Sequence, residues 1–160
     1  MIDKKHVMIL EYRHGIMQFN NNKKAPNEMM IQVIDDDFDI LNTIKLYLQR
    51  AGLNVFGFTD PNLALEHFRI NCKDYALVIS DIRMPAMNGF EFIRKIREVS
   101  PTIKVLLMSA FEINSTELSA GLEGAKIEGF VQKPISLHQL SSIVQKQLEI
   151  QYLHSRANRK

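Results

Sequence analysis

From residue 30 onward, short apolar runs rich in β-branched residues alternate five times with longer segments whose apolar residues recur at helical spacing. The short runs are typical of strands, and the longer segments are typical of amphipathic helices. This alternation predicts an α/β domain with a doubly wound parallel sheet. The first, third and fourth runs are almost unbroken, so we expect them at the centre, covered by helices on both faces. The predicted strands are residues 30–34, 54–58, 76–80, 104–109 and 127–131.

Four predicted helices begin with a side chain that can accept hydrogen bonds from the unpaired amides of a first turn. These starts are Asp60 before Pro61, Asn88 before Glu91, Asn114 before Glu117, and Ser136 before Gln139. In the last helix the apolar residues fall near one face, and we expect the helix to end near residue 153. Those apolar residues are Leu137, Leu140, Ile143, Val144, Leu148 and Tyr152.

The predicted domain covers residues 29–153, and neither end of the chain continues its pattern. Residues 1–28 form an N-terminal extension, in which the polar stretch 20–27 is typical of a flexible linker. Upstream of that linker, two short apolar runs flank His14 and Gly15. They are compatible with a marginal hairpin, and the alternative is an irregular extension. Residues 154–160 form a short basic tail.

Charge and composition argue against nucleic-acid binding, membrane insertion and an internal disulfide. The net charge is +2, but residues 29–149 hold twelve Lys and Arg against fifteen Asp and Glu, which gives −3. A core of that charge suits nucleic acid poorly, so we expect no nucleic-acid binding. There is no run of about eighteen apolar residues, so we expect no membrane insertion and a cytoplasmic location. The single cysteine, Cys72, excludes an internal disulfide and fits a reducing compartment.

Acidic residues close two of the predicted strands. Asp35 and Asp36 end the first strand, and Asp81 ends the third. Ligands of open α/β sheets lie beyond the carboxyl ends of the strands, so these positions are candidates for a site. Asp37 needs no such role, because Asp is common in loops and at helix starts.

Four segments resemble the motifs of response-regulator receiver domains. Residues 33–37 (VIDDD) resemble the acidic-pair motif, and residues 81–89 (DIRMPAMNG) match the family pattern D-x-x-M-P-x-M-x-G around its phosphoacceptor. Residues 106–110 (LLMSA) resemble the fourth strand, which ends in Ser or Thr followed by Ala. Residues 129–134 (GFVQKP) resemble the fifth strand with its aromatic residue and Lys-Pro pair. The resemblance covers residues 29–153.

The resemblance implies a flavodoxin-like fold with strand order 2-1-3-4-5 and five helices. In that order the first and third strands are neighbours, so Asp35, Asp36 and Asp81 converge on one crevice. Three close carboxylates favour a hard cation, and Mg²⁺ is the natural choice. The resemblance makes Asp81 the phosphoacceptor. It makes Asp35, Asp36, Asp81 and the backbone carbonyl of Arg83 the ligands of Mg²⁺.

The resemblance also assigns the residues around the phosphoryl group. Lys133 neutralises its charge, and Ser109 donates a hydroxyl hydrogen bond to it. Ser109 and Phe130 form the switch, although the family more often has Tyr where this chain has Phe130. The family places a cis peptide between Lys133 and its following proline. Arg83 and Phe111 border the path of an attacking water, so we expect their bulk to tune the lifetime of the phosphorylated state.

We therefore expect a single-domain response regulator and not an enzyme, because it catalyses only its own phosphorylation and dephosphorylation. The donor is a sensor histidine kinase or a phosphotransfer protein. The output is a phosphorylation-dependent protein contact with an unidentified target, and a phosphorylation-dependent homodimer is a further expectation.

Two other functions remain as alternatives. A phosphatase of the haloacid-dehalogenase type also uses a strand-end Asp with Mg²⁺, but it needs an acid two residues later, where this chain has Arg83. A receiver-like interaction module that is never phosphorylated is the second alternative. The intact acidic residues and Lys133 argue against it.

Overall fold

The computed structural model describes residues 28–111, 115–122 and 126–157. The predicted N-terminal linker and hairpin, and the predicted cap Asn114, lie outside these ranges. The strands are β1 (Met30–Ile34), β2 (Asn54–Phe58), β3 (Tyr75–Asp81), β4 (Lys104–Ser109) and β5 (Gly129–Gln132). The helices are α1 (Phe38–Arg50), α2 (Pro61–Asn71), α3 (Gly89–Val99), α4 (Ser115–Leu122) and α5 (Leu137–Ala157).

The described strands form one parallel sheet in the order β2-β1-β3-β4-β5, which confirms the predicted fold class. In this order β1 lies beside β3, and Ile34 pairs with Ser80, the residue before Asp81. The carboxyl ends of β1 and β3 are therefore adjacent at one edge of the sheet.

Two apolar layers cover the sheet, one on each face. The first layer packs α2, α3 and the end of α4 against the strands, around the fully buried Phe68 and Phe92. The second layer packs α1 and α5, around Ile44, Leu48 and Val144. Every residue of β1 and β3 is buried, which confirms that these strands are central. Helices on both faces explain why their sequences are almost unbroken apolar runs.

The predicted helix starts are observed wherever the structure describes them. Asp60 accepts a hydrogen bond from the Asn62 amide at 2.8 Å, with Pro61 at the first helical position. Asn88 accepts from the Glu91 amide at 2.9 Å, and Ser136 accepts from the Gln139 amide at a longer 3.4 Å. In addition Asp37 caps α1, which confirms the ordinary role predicted for it.

Three elements have boundaries that differ from the prediction. β3 is longer by one residue at each end, because pairing with both neighbours extends it to Tyr75 and Asp81. β5 begins two residues later than predicted, since the Glu128 carboxylate accepts the hydrogen bond of the Val105 amide, and it ends one residue later, at Gln132. α5 continues to Ala157 and does not end near residue 153, because residues 154–157 include no helix breaker.

Candidate functional site

Asp35 and Asp81 meet at the carboxyl ends of two adjacent central strands. Asp35 directly follows β1, and Asp81 is the last residue of β3. Their exposed fractions are only 1% and 5%. Two carboxylates buried side by side repel each other, so this arrangement needs a positive partner.

Lys133 is that partner. Its Nζ atom lies 2.6 Å from Oδ2 of Asp35 and 2.8 Å from Oδ1 of Asp81. The ammonium group thus bridges the two carboxylates, and its side chain is only 12% exposed. The structure therefore brings together three of the residues that the sequence predicted for the site.

Backbone amides hold the remaining carboxylate oxygens. The Asp37 amide donates to Oδ1 of Asp35 at 3.0 Å, and the Arg83 amide donates to Oδ2 of Asp81 at 3.0 Å. Each of the four oxygens thus has a donor, and both carboxylates are oriented. This use of the main chain could not be read from the motif.

The pKa values of the paired groups reflect burial and charge. Burial raises the pKa of Asp35 above its usual value, and the hydrogen bonds from Lys133 and the Asp37 amide offset this only in part. Burial alone would lower the pKa of Lys133, but its hydrogen bonds to Asp35 and Asp81 outweigh that effect and raise it. The two groups differ because the charged form of Lys133 is stabilised by two carboxylates, whereas Asp35 has one ammonium partner and burial has the larger effect on its pKa.

The segment after β5 positions Lys133. The Lys133 amide donates to the Ser109 carbonyl at 2.7 Å, and the peptide bond between Lys133 and Pro134 is cis, as the resemblance predicted. Ser109 is the last residue of β4, and its hydroxyl oxygen accepts a hydrogen bond from the Phe111 amide at 3.0 Å. Ser109 is therefore buried beside the backbone of Lys133.

Phe130 lies two residues before the end of β5, opposite Leu107 of β4. It is partly buried against the same apolar layer that contains Leu107. Because side chains two residues apart on a strand point to the same face, Ser109 and Leu107 share that face. The predicted switch residues thus lie on one side of the sheet.

The loop between Asp81 and α3 depends on Gly89, whose role was not predicted from the sequence. A Cβ atom on Gly89 would lie 2.3 Å from the Asp81 carbonyl oxygen, so only glycine allows this approach. The Gly89 amide donates to the Ile82 carbonyl at 2.8 Å and closes the loop. Within the loop Ala86 has a φ of 66°, a left-handed conformation that costs a non-glycine residue of order 1–3 kcal/mol. The only sign of this loop structure in the sequence was the glycine that ends the motif at residues 81–89.

Asp36 is placed differently from Asp35 and Asp81. It is exposed and lines an open crevice of about 670 Å³ together with Arg83 and Asn88. Within the described residues, no three acidic, histidine or cysteine side chains form a ready-made metal site. The candidate donors are nevertheless all oxygen atoms on one edge of the sheet, and this donor set suits a hard cation such as Mg²⁺.

The two predicted tuning residues contact each other. The guanidinium carbon of Arg83 lies 4.1 Å from the centre of the Phe111 ring. Phe111 is 53% exposed, and Arg83 is also exposed. This cation–π contact joins the loop after β3 to the loop after β4. Both residues were predicted to act at the site, but their contact was not predicted, because they are far apart in the chain.

Among the described residues, no helix has both the length and the apolar character that crossing a membrane requires.

The sequence profile of the response regulator receiver domain matches residues 31–145. Phosphorelay signalling and Mg²⁺ binding are typical of that family, and its members are signalling domains rather than enzymes of the usual kind.

Curated relatives agree with this match. The regulatory protein VanRB of Enterococcus faecalis is 34% identical over 107 residues, which are 67% of this chain and 46% of that protein. The putative two-component response regulator ARR21 of Arabidopsis thaliana is 32% identical over 124 residues, which are 78% of this chain and 20% of that protein. The chain thus spans less than half the length of either relative. The receiver protein CpdR of Brucella abortus is 27% identical over 118 residues, which are 74% of this chain and 95% of that protein.

Solved structures show the same architecture. A response regulator receiver domain from Clostridium thermocellum superposes with a TM-score of 0.69 at 25% identity, over 78% of this chain and 98% of that one. The chemotaxis protein CheY4 of Vibrio cholerae superposes with a TM-score of 0.65 at 25% identity, over 74% of this chain and 97% of that one.

Proposed function

Because the chain belongs to the response regulator receiver domain family, we propose that Asp81 accepts a phosphoryl group from a phosphohistidine. The donor in this proposal is a sensor histidine kinase or a phosphotransfer protein. The observation that carries it is the bridge from Lys133 to the Asp81 carboxylate at 2.8 Å, next to the carboxyl end of β4. A phosphoacceptor needs an oriented carboxylate with a positive charge beside it, and Asp81 has both.

In the proposed step, a carboxylate oxygen of Asp81 forms a bond to phosphorus while the bond from phosphorus to the donor imidazole nitrogen breaks. The released imidazole takes up a proton from solvent. Such transfers depend mainly on positioning and on neutralising the phosphoryl oxygens. The Arg83 amide orients Asp81, and Lys133 supplies positive charge. Hydrolysis by water later restores the carboxylate.

Mg²⁺ is the cofactor in this proposal. Asp35, Asp36, Asp81 and the carbonyl of Arg83 would hold it, and Asp36 and Arg83 already line one crevice. When bound, the cation would neutralise the carboxylates and the incoming phosphoryl oxygens.

We propose that the signal leaves the site through Ser109 and Phe130. The phosphoryl group on Asp81 carries nearly two negative charges in place of the single charge of the carboxylate, together with three acceptor oxygens. These oxygens attract the Ser109 hydroxyl. Phe130 lies on the same side of the sheet and moves into the space that Ser109 leaves. The ring has no hydroxyl, so this step uses packing alone. The altered face, formed by α4, β5 and α5, would bind a target protein or a second copy of the chain.

The cytoplasmic location predicted from the sequence is also part of this proposal. The bulk of Arg83 and Phe111 would shield the acyl phosphate from water and so lengthen its lifetime.

Intact-protein and peptide mass spectrometry after treatment with Mg²⁺ and acetyl phosphate tests the proposal. We expect one added phosphoryl group on wild type, located at Asp81, and none on Asp81→Asn. Asp37→Asn is the matched control: it keeps the helix cap, so it should still be phosphorylated. An unmodified wild type would contradict the proposal, and so would steady hydrolysis of a small phosphate ester, which would favour a phosphatase.

A further inference from the structure

Phe90 lies between the crevice and α4. Its ring lines the crevice together with Asp36 and Arg83, and it is only partly buried. The ring also lies against Gly121 of α4, because a Cβ atom at Gly121 would be 2.6 to 2.7 Å from three of the ring atoms. Carbon atoms in contact are normally at least about 3.5 Å apart, so a side chain at residue 121 would displace the ring. One aromatic side chain therefore contacts α4 and forms a wall of the crevice.

A second contact from α3 reaches the same residue of α4. Arg94 follows Phe90 by one helical turn, so the two side chains leave α3 on the same face. The Nη1 atom of Arg94 donates to the Gly121 carbonyl at 3.1 Å. Gly121 is in the last turn of α4, where a helix leaves its carbonyls without a partner in the helix. A ring contact and a hydrogen bond thus hold the end of α4 against α3.

The start of α3 is fixed beside the carboxyl end of β3. Gly89 directly precedes Phe90, and its amide donates to the Ile82 carbonyl at 2.8 Å. Gly89 also packs so closely on the Asp81 carbonyl that there is no room for a Cβ atom. The backbone of Phe90 is therefore anchored next to Asp81. Its ring is the part that can respond when a group enters the crevice.

We propose that Phe90 couples the occupancy of the crevice to the position of α4. Mg²⁺ keeps several of its waters in protein sites, so a bound cation fills more of the crevice than the bare ion. The hydrated cation displaces the ring, and the ring displaces α4 through Gly121. This route is separate from the one through Ser109 and Phe130, which belong to β4 and β5. The inference rests on the proposed cation site and specifies how a bound cation acts on α4.

Coupling between two sites is reciprocal, and this sets the expected effect. If a bound cation displaces α4, a displaced ring must change the affinity for the cation by the same factor. Gly121→Ala places a methyl group against the ring and pushes it toward the crevice. We expect this variant to bind Mg²⁺ at least about five-fold more weakly, which is the lower end of typical couplings. With Phe90→Ala present, Gly121→Ala should leave the affinity unchanged, because no ring remains to be displaced.

Titration of the cation-free protein with Mg²⁺ alone, followed by the amide signals in NMR spectra, measures the affinity. The four proteins compared are wild type, Gly121→Ala, Phe90→Ala and the double variant. Ala120→Ser is the matched control, since Ala120 is the neighbouring residue of α4 and its side chain is exposed. This control should bind Mg²⁺ like wild type. An unchanged affinity in Gly121→Ala would overturn the coupling, and so would an equal loss in the Phe90→Ala background.

The same titration also follows α4 directly. We expect Mg²⁺ to shift the Gly121 amide signal in wild type and in Ser109→Ala, but not in Phe90→Ala. The Ser109 variant retains the response because this route does not pass through β4. A response that is lost in Ser109→Ala and kept in Phe90→Ala would assign it to the other route and contradict the inference.

A measurement in chelator separates this inference from the proposed function. Without any cation, Gly121→Ala should shift the amide signals of Arg83 and Asn88, which line the crevice. These shifts should be absent when Phe90→Ala is also present. If Mg²⁺ changes no crevice signal of wild type, the proposed cation site fails. The chelator experiment then still supports the link between α4 and the crevice when these signals move, and overturns it when they do not.

Discussion

The two ends of the sheet use charged side chains in opposite ways. At the carboxyl end, Lys133 contacts the carboxylates of Asp35 and Asp81. At the amino end, the Nζ atom of Lys104 donates to the backbone carbonyl of Gln147, at 2.5 Å, and so ties β4 to α5. Lys133 therefore contacts carboxylates of the candidate site. Lys104, on the neighbouring strand, contacts the main chain instead.

Other charged residues at the amino end also form hydrogen bonds with main-chain groups, as Lys104 does. The Glu128 carboxylate accepts from the Val105 amide at 2.5 Å. The Arg97 guanidinium donates to the carbonyls of Pro101 and Lys126 at 2.7 and 2.5 Å. Charges bonded to the main chain stabilise loops, whereas charges that face one another beside a crevice can bind an added group.

The largest effect is expected for Lys133→Met, which leaves two buried carboxylates without their positive partner. Breaking a buried ion pair in this way costs about 3–5 kcal/mol in the free energy of unfolding. Chemical denaturation in a chelating buffer measures it. Lys104→Met is the matched variant, with an expected loss of about 1–3 kcal/mol. Equal losses for the two variants would show that the two ends do not differ.

An intermediate effect is expected for Glu128→Ala. The Val105 amide is buried, and without the carboxylate it loses its acceptor, which costs about 1–3 kcal/mol of stability. The rate of phosphorylation by acetyl phosphate should stay unchanged, because this contact lies at the opposite end of the sheet from Asp81. Glu128→Gln retains an acceptor and should recover most of the stability. If Glu128→Ala lowered the phosphorylation rate, the two ends of the sheet would be functionally coupled, which contradicts this prediction.

The smallest effect concerns the pH dependence of Asp35→Asn. Because burial raises the pKa of Asp35, the folded chain binds this proton more tightly than the unfolded chain does. The protonated Asp35 side chain therefore stabilises the fold below the usual carboxyl pKa. This stabilisation is lost as pH rises through the raised pKa of Asp35. In chelator, the stability of the variant relative to wild type should therefore increase as pH rises above the usual carboxyl pKa of about 4. A constant or falling difference would mean that burial does not dominate at Asp35.

Much of the fold could be predicted because its signals are local. The central strands were found because β1 and β3 are apolar on both faces. The cap at Asp60 depends on an amide only two residues away. The start of β5 was predicted wrongly because the Glu128 carboxylate, and not a main-chain carbonyl, accepts the hydrogen bond of the Val105 amide. The sequence around Glu128 does not reveal this substitution.

The sequence by itself determined the alternation of strands and helices, the helix starts and the acidic residues at two strand ends. Hydrophobic periodicity and capping act within a few residues, so they are visible in the chain. Only the tertiary structure decided that Lys133 bridges Asp35 and Asp81, that Asp36 stays exposed, and that Arg83 stacks on Phe111. Lys133 and Asp35 are 98 residues apart, and the distance between such side chains depends on how the sheet and its loops pack.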